Sequence, residues 1–403
     1  MKSGNLVIGQ AGGPTAVINA SLVGVVQEAA KHAEIKEIYG MRWGIQGFLE
    51  ENLVDLGCES PQTLELVKNT SSSALGSCRL KLGDDQLPQV LEVMRKFDIR
   101  FFFYVGGDDS QNTTHRVVEY CRSQGYELYG IGIPKTVDND LFGTDHTPGY
   151  GSAARYVALS AQQGGVLARD MQKVDPVSVY QAVGRDAGWL AAASALAKRY
   201  EEDPPHLIYI PERPFTHDRF YADIERCYSR FGFVSVFVGE GIVYPDGSPV
   251  SGTQTFDKFG NPEFGAMGGA SAAMVVKNLA CDHLNCRGEF QIVESLQMAG
   301  MDRVSEVDRH EAWMAGVEAV KLATAGKSGL MVSFERATAE GPDGGYLCRY
   351  VAVPLLTVNE GKQTMPDNFI DEKNSFVTPE FIDYLKPLVG EMPVMGRLSY
   401  KKV

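Results

Sequence analysis

The stretch Ile99-Arg100-Phe101-Phe102-Phe103-Tyr104-Val105-Gly106-Gly107-Asp108-Asp109-Ser110 decides the fold. An apolar run of strand length ends in two glycines, which let the backbone turn sharply and approach a ligand that a Cβ would exclude. Two carboxylates then stand at the strand's carboxyl end, the place where open parallel sheets bind ligands. Hard oxygen ligands there suit a magnesium ion that bridges phosphate oxygens. The ordinary alternative is that Asp109-Ser110 caps a helix beginning near Gln111.

Upstream, Leu87, Val90, Leu91, Met94 and Phe97 recur at helical spacing, so the stretch from Gln86 to Phe97 reads as a helix with one buried face. Downstream, a second short strand, Gly130 to Ile133, is ended by Pro134 and runs into Lys135-Thr136-Val137-Asp138-Asn139-Asp140. A carboxylate held near a lysine stays ionised and can accept a proton from a sugar hydroxyl attacking phosphorus. Lys135 is placed to neutralise charge building on a transferring phosphoryl group. An Asx turn at Asn139-Asp140 would need no chemistry. At the amino terminus, the strand Asn5 to Gly9 leads through Gln10-Ala11-Gly12-Gly13-Pro14-Thr15 into a helix over Ala16 to Ala30, a glycine turn whose N–H groups suit phosphate.

Short strands alternate with helices: Leu6 to Gly9, Glu37 to Tyr39, Ile99 to Val105 and Leu128 to Ile133, then Val177 to Val183, His206 to Ile210 and Val234 to Val238. This is α/β patterning, and it predicts two Rossmann-like lobes with mainly parallel sheets and a cleft between them. The chain is expected to cross around Asp145 to Gly151, again near Gln291 to Ala299, and to return through a strand at Ser328 to Phe334. One lobe then takes residues 1–145 plus about 297–403, and the other about 146–296. The glycine-rich stretch from Gly265 to Ala270 reads as a turn or helix entry.

A chain of 403 residues with 44% apolar and 22% charged residues has the composition of a soluble globular enzyme of two domains. Its net charge of −13 argues against nucleic acid or an anionic membrane as partner. Seven cysteines without a regular framework suggest reduced thiols and a cytoplasmic location, and no apolar run reaches membrane-spanning length. His115, His146 and His310 lie in no run that builds a site and read as ordinary helix or loop residues.

Together, the three glycine- and charge-rich turns resemble the phosphofructokinase family, and in detail its pyrophosphate-dependent branch. The resemblance runs from Leu6 to about Gly326. ATP-using relatives carry glycine at the positions of Asp109 and Lys135. The resemblance therefore implies an inorganic donor, with Asp109 repelling a nucleotide's α-phosphate and Lys135 offsetting the charge of the smaller donor. It further implies that Asp138 is the base for the sugar's 1-hydroxyl and that Asp108 anchors magnesium. Gly12 would contact donor phosphates through its backbone, and Arg79 would bridge donor and acceptor. Thr136, Val137, Val183, Gly184, Arg185 and Glu212 fall on the acceptor side.

The implied reaction is a reversible, magnesium-dependent transfer from pyrophosphate to fructose 6-phosphate within glycolysis or gluconeogenesis, by a homodimer or homotetramer. One departure stands out. Relatives hold the sugar's terminal phosphate with an arginine where this chain has Met298 in Ser295-Leu296-Gln297-Met298. Either Arg303 or Arg309 substitutes, or the acceptor differs, sedoheptulose 7-phosphate being a second choice. An ATP-dependent enzyme and a catalytically silent sugar-phosphate-binding subunit are the rival readings.

Overall fold

The computed structural model describes residues 2–78, 80–251, 255–256, 262–263, 271–293, 295–337 and 345–398. Arg79 and the stretch 265–270 lie outside these described residues.

The strand Ile99–Gly106 forms as expected and is buried along nearly its whole length. Phe101, Phe103 and Val105 enter one core with Leu6 and Ile8, whereas Phe102 and Tyr104 enter another with Val7 and Met41. Alternate residues of a strand point to opposite faces, so a strand apolar throughout must be covered by helices on both sides. Each fully buried phenylalanine contributes about 2 kcal/mol relative to an exposed one.

Around this strand a seven-stranded sheet is built in the order Cys348–Pro354, Leu330–Arg336, Tyr129–Pro134, Ile99–Gly106, Gly4–Gln10, Ile35–Met41 and Leu53–Asp55. Its four internal pairings are parallel and only the two edge pairings are antiparallel. The chain leaves Gly4–Gln10 toward Ile35–Met41 on one side, and Ile99–Gly106 toward Tyr129–Pro134 on the other. That reversal opens a crevice at the carboxyl ends of these two central strands, which is where the turns at Gly12 and Gly107 stand.

A second, wholly parallel sheet has four strands in the order Gly288–Val293, Val177–Ala182, Val234–Gly239 and Leu207–Tyr209. The sheets are linked by the long helix Tyr150–Asp170. The helix Glu306–Thr324 packs back on Ile18–Ala29, and glycine sits at the crossing from each side. A Cβ on Gly24 would lie 2.1 Å from the Trp313 carbonyl oxygen, and one on Gly316 would lie 2.2 Å from that of Ser21. The last helix, Pro379–Val389, sends Phe381, Leu385, Leu388 and Val389 into a core shared with Tyr150, Trp189 and Ile208. Among the described residues no helix is long and apolar enough to cross a membrane, and all seven cysteines are free.

Candidate active site

The helix after the first glycine turn begins at Asp108 and runs to Ser123, with Gly107 at its N-cap and no side-chain cap. Asp109 and Ser110 therefore lie inside the helix rather than capping it. Asp108 turns back on the chain, its Oδ1 accepting the Asp109 N–H at 2.8 Å. Asp109 is exposed and points outward, 3.8 Å from the Lys81 ammonium.

Lys135 follows the buried strand Tyr129–Pro134 and is itself 4% exposed. Its Nζ donates to the Gly13 carbonyl at 2.7 Å. Gly12 has φ +73°, a conformation that favours glycine, and a Cβ there would come within 3.1 Å of Nζ. Burial pulls the Lys135 pKa down to about 8, against the opposing pull of Asp138, Asp140 and Asp108. The fold thus brings Lys135, Asp138, Asp108 and Gly12 to one place.

Asp138 sits in a turn closed by its own N–H donating to Thr136 Oγ1 at 3.1 Å. Its Oδ1 is buried with no hydrogen-bond partner. Burial pushes its pKa up to about 7, Asp140 adds to that, and Arg185 and Lys135 hold it down. Asn139, with φ +56°, does not form an Asx turn with its own backbone. Its Oδ1 accepts from the Thr147 N–H at 3.0 Å and its Nδ2 donates to the Tyr384 hydroxyl at 3.2 Å.

From the second sheet, Val183 packs against the core and Gly184 adopts φ +137°, donating its N–H to Glu240 at 3.2 Å. These residues carry Arg185 to where its charge acts on Asp138. Glu212 reaches the same side with its carboxylate already accepting the N–H groups of Gly188 at 3.0 Å and Met365 at 3.0 Å. Burial raises its pKa. Ser77 Oγ donates to the Gly12 carbonyl, so Ser77 reaches the amino-terminal turn.

Two charged residues were not singled out by sequence. Asp186 and Lys362 pair with each other, and both act electrostatically on Asp140. Asp186 adjoins Arg185 in the chain, a cue that was available; Lys362 arrives from a distant loop and offered none. Both arginines suggested as stand-ins for Met298 have partners. Arg303 stacks on Tyr156, 4.5 Å from its ring centre, and donates to Ser160 at 2.9 Å and Gln163 at 3.1 Å. Arg309 pairs with Glu306. Met298 itself faces the amino-terminal turn, its sulfur 3.8 Å from where a Gly13 Cβ would stand.

Chemically, the crevice offers a buried base, a buried ammonium and acidic oxygens able to hold a hard cation. The phosphofructokinase family model matches residues 5–323. A pyrophosphate--fructose 6-phosphate 1-phosphotransferase of Rhodospirillum rubrum is 39% identical, covering 100% of this chain and 98% of its own length. A sulfofructose kinase of Alkalicoccus urumqiensis is 31% identical, covering 92% of this chain and 93% of its own. The crystal structure of a pyrophosphate-dependent phosphofructokinase from Nitrosospira multiformis superposes with a TM-score of 0.87 at 34% identity, covering 98% of this chain and 94% of that one. The chain belongs to the phosphofructokinase family.

Proposed function

We propose that this protein transfers a phosphoryl group from pyrophosphate to the 1-hydroxyl of fructose 6-phosphate, yielding fructose 1,6-bisphosphate and phosphate. The observation that carries this reading is the Asp138 carboxylate, buried, unpartnered at Oδ1 and set between the charges of Lys135 and Arg185. Asp138 takes the proton of the 1-hydroxyl as its oxygen bonds to phosphorus, and the bridging P–O bond breaks to release phosphate. Lys135 faces the donor and balances charge on the transferring group.

The acidic oxygens fit a divalent cation. Asp140 is pushed up first by burial and then by the charge of Asp108, so the site holds carboxylate repulsion that a cation would relieve. Asp108 would hold magnesium, which when bound neutralises phosphate charge. Asp109 guards the mouth against the larger nucleotide, and Gly12 and Arg79 contact the donor. Thr136, Val137, Val183, Gly184 and Arg185 line the acceptor side, with Glu212 holding the loops at Gly188 and Met365 around the sugar.

In this reading, residues 1–145 and about 297–403 serve the donor and about 146–296 the acceptor, with the last helix laid over the acceptor-side core. The transfer runs in both directions in glycolysis or gluconeogenesis, in a cytoplasmic homodimer or homotetramer. A second reading keeps the chemistry and changes the acceptor, to sedoheptulose 7-phosphate or another ketose with a different far end. Met298, with Arg303 and Arg309 engaged elsewhere, favours it, as does the relative named for sulfofructose. The Asp138→Ala substitution tests the common chemistry. Turnover falls by about two to four orders of magnitude while pyrophosphate still binds; unchanged turnover would place the base elsewhere.

A further inference from the structure

Beside the turn that carries Asp138 lies a buried charged cluster that the proposed chemistry does not use. His146 is 1% exposed, with Nδ1 2.8 Å from Asp145 Oδ2 and Nε2 2.7 Å from Glu311 Oε2. When both ring nitrogens carry protons, each donates to one carboxylate, so an imidazolium satisfies the pair. Burial works against that charge, yet Glu311 and Asp145 prevail and raise the pKa to about 9. The other oxygen of Glu311 accepts from the Tyr346 hydroxyl at 2.6 Å, and Arg336 holds Asp145 at 3.2 Å. Two cations thus balance two carboxylates.

The residues on either side of His146 grip the catalytic turn. Thr147 donates its N–H to Asn139 Oδ1 at 3.0 Å and its hydroxyl to the Thr136 carbonyl at 2.9 Å. The Asp145 carbonyl accepts from the Tyr384 hydroxyl at 2.9 Å, and that hydroxyl in turn accepts from Asn139. Thr136 and Asn139 bracket Val137 and Asp138, and the left-handed backbone at Asn139 persists only where its surroundings hold it.

We propose that His146 is a positioning residue for Asp138: clamped between Asp145 and Glu311, it fixes the segment against which the turn Thr136-Val137-Asp138-Asn139 is held. This rests on the reading of Asp138 as base. Removing the ring's charge leaves two carboxylates facing one arginine in a buried space, and the segment must shift or admit water. A shift of about 1 Å in a catalytic group costs up to about a hundredfold in rate.

The test measures kcat, both KM values and the melting temperature for wild type, His146→Gln, Glu311→Gln and the double variant. Each single change unbalances the cluster by one charge, whereas the double change restores neutrality. Each single variant is expected to lose about ten- to a hundredfold in kcat with both KM values within about twofold, and the double variant to recover part of that loss. Full kcat in either folded single variant, or a loss that the double variant does not relieve, overturns the proposal. Should the single variants fail to fold, Tyr346→Phe removes only the hydroxyl on Glu311; kcat is expected to fall about threefold with KM unchanged, and an unaltered kcat overturns the proposal equally. Wild-type protein inactive with pyrophosphate and with ATP would overturn both this inference and the reading of Asp138, whereas an active wild type with an indifferent Glu311→Gln overturns this inference alone.

Discussion

Lys135 donates its ammonium to the carbonyl of Gly13 at 2.7 Å, so the charge of one turn is anchored on the backbone of another. In the proposed function this buried cation faces the donor phosphate. Lys135→Met should raise the KM for pyrophosphate and lower kcat by at least about tenfold, as loss of a charge on a transferring phosphoryl group requires. Steady-state kinetics with varied pyrophosphate check this; an unchanged KM and kcat would remove Lys135 from the site.

The same two groups set a pH profile. Asp138 must be ionised and is pushed up to about 7; Lys135 must be protonated and is pulled down to about 8. The value of kcat/KM in the free enzyme is therefore expected to rise as pH climbs through about 7 and to fall above about 8. Because the groups interact, the limbs belong to the pair. Lys135→Arg should move the alkaline limb upward and leave the acid limb near its place; a fixed alkaline limb would assign it to another group.

Stability carries its own pH signature through His146. Its folded-state pKa, about 9, lies above the ordinary 6.5, so its contribution is fully present below about 6.5 and is lost as pH rises through about 9. The melting temperature should fall across that window in the wild type, and His146→Gln should flatten the fall. Equal slopes in the two proteins would show that the imidazolium is not what titrates.

In the second reading proposed above, acceptor choice turns on Met298. Placing a guanidinium there with Met298→Arg should lower the KM for fructose 6-phosphate by about tenfold, the scale of a charge-assisted hydrogen bond to phosphate. A panel of fructose 6-phosphate, sedoheptulose 7-phosphate and 6-sulfofructose, each with pyrophosphate, separates the two acceptor readings. An arginine without effect on any acceptor would place Met298 outside the acceptor's reach.

Much of this was legible because the chemistry is local. A strand, two glycines and two carboxylates in one run define a turn at a sheet's carboxyl end, and Lys135 and Asp138 sit within one such turn. The strand Leu330–Arg336 was also readable, expected at Ser328 to Phe334 from Leu330, Met331, Val332 and Phe334. What was not readable depends on distant partners. His146 looks ordinary in sequence because Glu311, its second carboxylate, lies 165 residues away. Lys362 meets Asp186 from 176 residues along the chain. The edge strands Gly288–Val293 and Cys348–Pro354 escaped notice because edge positions are half exposed and carry polar residues such as Glu289, Gln291 and Arg349 among the apolar ones. Asp109, expected from the sequence to repel a nucleotide's α-phosphate, is exposed and lies 3.8 Å from Lys81, a partner that its own run does not reveal.

Exclusion has a direct test of its own. The double change Asp109→Gly with Lys135→Gly removes the carboxylate and opens the space above Gly12, and is expected to confer measurable ATP use. Nucleotide binding that stays undetectable by calorimetry would mean that other walls exclude ATP.

The most direct measurement is a donor comparison with purified protein, fructose 6-phosphate and magnesium, following fructose 1,6-bisphosphate. Turnover with pyrophosphate and little with ATP is the predicted result. Turnover with ATP alone would contradict the account.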